Sequence, residues 1–161
     1  MVVYNGLSFK LPNLVMHDLR TLKAIKMKQT GIWLDKDKAI IVTIENATEV
    51  LKTIASNIEH FNVHGGSGTR FKGGPQDVVQ DRKYLERENH QLKKYFKSIV
   101  NEIEGTDALV IFGPAETYEK FNMELQNNYK KLSAKIKGIR KADSTTNNQV
   151  KAWVRDFFKE N

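Results

Sequence analysis

The pattern of hydrophobic and polar residues predicts a β-hairpin near the start of the main domain. Residues 31–34 are apolar and β-prone, and residues 39–44 form a second apolar run. The four residues between them, Asp-Lys-Asp-Lys, are a polar turn. Two apolar runs joined by a short polar turn favour two antiparallel strands.

The chain after this hairpin predicts a third strand and then a long loop. The strand is predicted over residues 49–59, where alternation places three residues on one face, because side chains two apart in a strand share a face. These residues are Ile54, Ser56 and Ile58. Residues 60–80 contain five glycines and Pro75 but few apolar residues. Loops of this length in compact domains are commonly functional.

Helical spacing of apolar residues predicts a long helix over residues 81–104. Its apolar face comprises Leu85, Leu92, Phe96, Ile99 and Ile103. Residues 108–112 then form a short continuous apolar run, which is typical of a strand that is buried on both faces. We therefore expect this strand to lie inside the sheet.

Two further helices and one further strand complete the predicted order. Pro114 suits the first position of a helix, whose apolar face contains Tyr118, Phe121 and Leu125. A strand over residues 136–142 follows. The last helix has capping-box spacing at Thr146 and Gln149. Its apolar stripe comprises Val150, Trp153, Val154, Phe157 and Phe158.

The order β-β-β-α-β-α-β-α predicts an α/β fold of the RNase H-like type, with a mixed sheet covered by helices. We assign residues 29–161 to one such domain. Residues 1–28 have only loose helical spacing, at Leu14, Val15, Leu19, Leu22 and Ile25. We interpret them as an N-terminal extension that is dispensable for the fold.

Composition narrows the classes of function. The chain has no cysteine, which excludes disulfides and a cysteine nucleophile. No apolar run approaches the roughly 20 residues that span a bilayer, and the first residues lack a signal-peptide pattern. We therefore expect a cytoplasmic protein. The net charge of +7 suits either a nucleic-acid partner or simply a solvated, lysine-rich surface.

The glycine-rich loop and the helix after it carry a resemblance to a known family. Residues 64–71 read His-Gly-Gly-Ser-Gly-Thr-Arg-Phe, and residues 81–89 begin a long charged helix. This stretch resembles the middle domain of archaeal and eukaryotic class I translation release factors, in which a basic Gly-Gly-Gln loop and an Arg-Phe pair lead into such a helix. Residues 31–35 and 109–114 are similar to its opening hairpin and buried strand. The resemblance spans about residues 31–158 and extends to Pelota and to small stand-alone bacterial homologues.

The departure from the family concerns its catalytic residue. In release factors the glutamine after Gly-Gly is associated with hydrolysis of peptidyl-tRNA, whereas here Gly65-Gly66 is followed by Ser67. Gly73-Gly74 does precede Gln76, but Pro75 intervenes, removes a backbone donor and fixes φ, so Gln76 is not expected to take the same pose. The resemblance therefore implies a translation-related module associated with the ribosome, tRNA or rRNA, with no catalytic residue, metal or cofactor. The residues expected to contact RNA are His64, Gly65, Gly66, Arg70, Lys72, Arg82 and Arg87.

Two other classes of function remain open from the sequence. A hydrolase acting on nucleic acid, either a metal nuclease or a peptidyl-tRNA hydrolase, would need converging catalytic groups. The carboxylates available for a nuclease are Asp35, Glu86, Glu88, Asp107 and Glu116. A turn position explains Asp35 and a helix surface explains the glutamates without catalysis, while Asp107 lies at the beginning of its strand rather than at the end. The third class is a protein-interaction scaffold in which residues 1–28 dock on a partner.

Overall fold

The computed structural model describes residues 2–4, 7–9, 27–60 and 75–160, with side chains described for residues 27–60 and 82–160. The strands are β1 (Val2–Tyr4), β2 (Leu7–Phe9), β3 (Gln29–Leu34), β4 (Lys38–Glu45), β5 (Thr48–Ala55), β6 (Ala108–Gly113) and β7 (Ile136–Lys141). The helices are α1 (Pro75–Ile103), α2 (Thr117–Asn128), α3 (Lys130–Ser133) and α4 (Asn147–Glu160).

A five-stranded mixed sheet, in the order β5-β4-β3-β6-β7, organises the chain. The hairpin partners β3 and β4 pair antiparallel, as do β4 and β5. β6 pairs parallel to β3 on one side and to β7 on the other. This confirms the predicted order of three strands followed by alternating helices and strands, and it confirms that β6 lies inside the sheet. β5 and β7 are the two edge strands.

Two hydrophobic clusters cover the two faces of the sheet, because successive side chains of a strand point to opposite sides. Ile32 and Leu34 pack with residues of α1, α2 and α3 on one face. Trp33 packs with residues of α4 on the other face. The sheet is thus the middle of three layers, with three helices on one side and α4 on the other.

The start of the last helix matches its sequence signal. The backbone N–H of Thr146 donates to Gln149 Oε1 at 3.0 Å, and the N–H of Gln149 donates to Thr146 Oγ1 at 3.4 Å. These are the reciprocal bonds of a capping box, which satisfy backbone donors that a helix start leaves open. The predicted stripe is also confirmed, since Val150, Val154 and Phe157 are buried.

The prediction for the long helix was wrong at its start. The helix begins at Pro75, so residues 75–80 are helical rather than part of the loop. Proline suits the first helical turn because its missing N–H would have no partner there. Leu85, predicted on the buried face, is 56% exposed. A helix of 29 residues is about 43 Å long, roughly twice the length of the neighbouring strands, so its first half extends past the core.

Two smaller boundaries also differ from prediction. The helix after β6 begins at Thr117 rather than Pro114, because Ala115 has a left-handed backbone with φ 51° that interrupts a helical start. The third strand ends at Ala55, and Asn57 has φ 53°. Ile58 is nevertheless buried in the core, as part of the connection rather than of the strand.

The N-terminal residues contribute two short strands that were not predicted. β1 and β2 pair antiparallel as a separate two-stranded sheet. The predicted apolar positions from Leu14 to Ile25 lie outside the described residues. In the described helices, no segment combines the length and apolar character needed to cross a bilayer.

Candidate nucleic-acid interface

The glycine-rich segment joins β5 to α1. Five of the predicted RNA-contacting residues lie within residues 61–74, outside the described residues: His64, Gly65, Gly66, Arg70 and Lys72. The other two, Arg82 and Arg87, are exposed on the first half of α1. The structure therefore describes the two ends of this segment and the helix into which it leads.

A small polar network fastens the start of this segment to α1. The backbone N–H of Glu59 donates to Gln91 Oε1 at 3.1 Å, and the Tyr84 hydroxyl donates to the Glu59 carbonyl at 3.1 Å. Arg87 Nη1 contacts Glu59 Oε2 at 3.3 Å. His60 Nε2 lies 2.6 Å from Asp37 Oδ1. The chain thus leaves the sheet beside the helix to which it returns. Arg87 holds the start of the segment against α1, and the Glu59 carboxylate compensates the charge of Arg87.

Three of the carboxylates weighed for a metal nuclease have structural partners. Asp35 Oδ1 accepts from the backbone N–H groups of Asp37 and Lys38, at 2.7 and 2.8 Å, so it closes the hairpin turn. Asp107 Oδ2 accepts from the N–H of Lys28 at 2.9 Å and fixes the start of β6. Glu88 pairs with Lys36 at 2.6 Å, and that hydrogen bond raises the pKa of Lys36.

No three His, Asp or Glu residues in the described ranges lie close enough together to hold a metal ion. Tyr95 lies behind the hairpin turn, where its hydroxyl donates to the Asp35 carbonyl at 3.3 Å. Burial is the main cause that raises the pKa of Tyr95, so its hydroxyl stays a hydrogen-bond donor. This end of the sheet is organised around the turn.

The structure reveals a second candidate region at the β7 edge, which the sequence reasoning missed. Residues 129–142 carry six cationic side chains and no carboxylate: Lys130, Lys131, Lys135, Lys137, Arg140 and Lys141. We call these six residues the basic edge. All except Lys135 are exposed. The net charge of the whole chain does not show this cluster, although a short window over the sequence detects it.

Packing against α4 fixes the shape of the basic edge. A β-bulge interrupts the pairing of β7 with β6 between the partners of Leu109 and Val110. Beyond the bulge, Gly138 lies against the Phe157 ring, where a Cβ atom would come within 2.7 Å of two ring carbons. The Arg140 guanidinium carbon lies 5.1 Å from the centroid of the same ring. A cation–π contact of this kind holds the charge in one position.

Open clefts lie at both ends of the basic edge. One, of about 480 Å³, lies between the end of β7 and α4, and its lining includes Phe112, Arg140, Lys141 and Trp153. Trp33 Nε1 donates at 3.2 Å to the carbonyl of Asp143, which is one of the lining residues. The other, of about 660 Å³, lies between the ends of α1 and α2, and its lining includes Lys130, Lys131 and Lys135. The first of the two clefts lies at the carboxyl ends of the parallel strands β6 and β7, which is a common place for ligand clefts.

Comparison with known proteins supports the fold. No family model matches the chain, and no curated protein matches it in sequence. Among solved structures, Pelota from Archaeoglobus fulgidus matches with a TM-score of 0.51 and 8% identity, over 87% of this chain and 34% of that one. Pelota from Thermoplasma acidophilum matches with a TM-score of 0.49 and 16% identity, over 89% and 38%.

An archaeal translation termination factor matches with a TM-score of 0.44 and 12% identity, over 81% of this chain and 39% of that one. The chain thus spans between a third and two fifths of the length of these proteins. The first match shows that the chain shares the α/β fold of one part of Pelota. At such low identity, it is the fold alone that the comparison establishes.

Proposed function

We propose that this chain is a translation-related module that associates with the ribosome or its RNA and lacks the glutamine used by release factors for hydrolysis. The observation that carries the proposal is the position of the glycine-rich segment in a Pelota-like fold. It begins just after Glu59 and leads into a helix whose Arg87 and Gln91 contact that same residue. The start of the segment is therefore fixed against the helix that its end leads into.

The chemistry of the segment suits a phosphate backbone. His64, Arg70, Lys72 and Arg82 would contact phosphate oxygens, while Gly65 and Gly66 allow a close approach because they carry no side chain. Arg87 would hold the start of the segment against α1 through its ion pair with Glu59. In this proposal the protein binds and does not hydrolyse, since Ser67 stands where the family has its glutamine.

Co-sedimentation with ribosomes at low and high salt tests this proposal. We expect the protein to pellet with ribosomes at low salt and to dissociate as salt rises, because phosphate contacts release counterions. The triple variant R70Q, K72Q and R82Q should pellet much less. A matched control removes three exposed lysines from the second half of α1: K93Q, K94Q and K97Q. Failure of the wild-type protein to pellet at low salt would refute the proposal.

Turnover assays separate this proposal from a hydrolase. Incubation with charged tRNA, and with an RNA–DNA hybrid plus Mg²⁺, should leave both substrates intact. Release of the aminoacyl group or cleavage of the hybrid would favour the enzyme instead. A chain that starts at Met27 then tests the scaffold class, since ribosome binding should not depend on residues 1–26.

A further inference from the structure

We propose that the basic edge is a second RNA-binding surface, which contacts the phosphate backbone of single-stranded RNA independently of the glycine-rich segment. This inference deepens the proposed function and rests on it, because it assigns the RNA contact to residues of α3 and β7. The surface comprises the exposed side chains Lys130, Lys131, Lys137, Arg140 and Lys141.

The first argument is uncompensated charge. Some cations outside the basic edge pair with carboxylates, as Lys36 does with Glu88 and Lys120 with Glu116. Within the described ranges, no carboxylate forms an ion pair with any cation of the basic edge. Lys135 is half-buried and donates to the Thr106 carbonyl. The other five cations are exposed within residues 129–142, which contain no carboxylate, so positive charge is concentrated at this edge.

The second argument is the arrangement of these cations around the strand. Arg140 shares a sheet face with Gly138, on the side that α4 covers. Lys141 follows Arg140 and therefore points to the opposite face. Lys137 lies at the bulge between the two pairing registers. The charges thus flank both sides of a strand that pairs with a described strand on one side only.

The geometry favours a flexible strand over a rigid duplex. β7 spans roughly 17 Å over its six residues. Lys130 and Lys131, in α3, extend this row towards the cleft between α1 and α2. A duplex meets a narrow protein edge along one side only, whereas a single strand can bend to reach cations on both faces. The carboxylates of Asp143, Asp156 and Glu160 line the cleft at the other end and limit the surface there.

The same lysines have a simpler possible role, which the test must separate from RNA binding. Charged residues on an edge strand prevent it from pairing with the edge of another molecule. Ile139, which is 40% exposed on this strand, is the residue that such protection would shield. If protection were the only role, removal of the lysines would change the association of the protein with itself and leave RNA affinity unchanged.

The experiment measures binding of a fluorescent oligouridine by anisotropy at several salt concentrations. The edge variant carries K130Q, K131Q, K137Q and K141Q, and it keeps Arg140 because that side chain packs on Phe157. The control variant carries K93Q, K94Q, K97Q and K159Q, four exposed lysines outside the basic edge. Circular dichroism checks that each variant is folded, and sedimentation velocity compares its association state with that of the wild type.

We expect the edge variant to bind at least about tenfold more weakly at low salt, and the slope of log affinity against log salt to fall by about 3, since each single-strand phosphate contact contributes about 0.7. The control should stay within about twofold of the wild type. Equal losses in both variants would overturn the proposal, as would dimerisation of the edge variant with unchanged RNA affinity. Tighter binding of a duplex than of oligouridine would also overturn it.

The outcomes distinguish this surface from the proposed function as a whole. If the edge variant binds oligouridine as the wild type does, while the wild type still pellets with ribosomes, the basic edge is refuted and the proposed function stands. If the edge variant loses oligouridine binding but the wild type never pellets with ribosomes, the RNA surface is supported and the association with ribosomes is refuted.

Discussion

The two edges of the sheet differ in how their charges are balanced. At the β5 edge, Glu49 pairs with Arg155 at 2.9 Å, and Lys52 pairs with Glu102. At the β7 edge, cations follow one another without a described carboxylate in ion-pair contact. Among the described strands, each of the two has a partner on one side only, so protection of an edge alone does not explain the difference.

The edges also differ in how they are attached to the helices. Phe157 of α4 lies under β7, where it contacts Gly138 and Arg140. At β5, the half-buried side chains Leu51 and Ile54 pack against the two hydrophobic clusters, and Val50 is 59% exposed. Both edges are therefore attached to the core, but at the basic edge a cation also lies over a buried aromatic ring. A charge held in this way is already positioned for binding.

The largest predicted effect concerns that aromatic support. Phe157→Ala should lower the free energy of unfolding by about 3–5 kcal/mol, because it leaves a cavity in the cluster beneath β7. Leu51→Ala on β5, which removes a half-buried side chain from the same cluster, should cost less. Urea denaturation of both variants measures this. Equal losses would show that the two edges are supported alike.

A second prediction concerns the close approach of α4 to β7. Gly138→Ala places a Cβ atom about where the Phe157 ring lies, so we expect a loss of about 1–3 kcal/mol in the free energy of unfolding. Val50→Ala, at an exposed position of the other edge, should change it by no more than about 0.5 kcal/mol. Combining Gly138→Ala with Phe157→Leu should recover part of the loss. An additive double variant would contradict the contact.

The capping box gives a smaller effect. Thr146→Ala removes a hydroxyl that accepts the N–H of Gln149, and it should cost about 1 kcal/mol of stability. Asn148→Ala, an exposed neighbour in the first turn of α4, is the control and should be close to neutral. Thermal unfolding followed by circular dichroism compares the two. A neutral Thr146→Ala would mean that α4 does not depend on its cap for support of β7.

The smallest predicted effect isolates the ion pairs. Lys52→Gln breaks its contact with Glu102 and should lower stability by at most about 1 kcal/mol, since both groups are partly exposed. Lys137→Gln has no such pair to break and should leave stability unchanged or improve it by relieving repulsion. In the RNA-binding assay we expect the opposite order: Lys137→Gln should bind RNA more weakly, and Lys52→Gln should bind as the wild type does. If the same variant showed the larger loss in both assays, the distinction between the two edges would not hold.

Local patterns predicted the elements whose signals are complete within a few residues. The apolar run of β6, the hairpin turn closed by Asp35 and the capping box of α4 each depend on neighbours in sequence. The start of α1 and the exposure of Leu85 depend instead on the length of the helix relative to the sheet. That length is a tertiary property that helical periodicity does not contain.

Of the two candidate RNA-contacting regions, one was predicted from local sequence and the other required the sheet order. The glycine-rich segment was predicted from its composition and resemblance, and its RNA-contacting role stays a prediction. The basic edge was missed because its importance depends on the sheet order, which makes β7 an edge strand. A window over residues 129–142 would have shown the charge but not that the strand has one open side.

Mapping of the bound RNA tests the central claim most directly. Photo-crosslinking of oligouridine to the wild-type protein, followed by peptide mass spectrometry, locates the contacts without any substitution. We predict crosslinked peptides from residues 129–142 and 64–72, and none from β5. Crosslinks concentrated on β5, or spread evenly over every lysine-rich peptide including residues 93–97, would contradict the account.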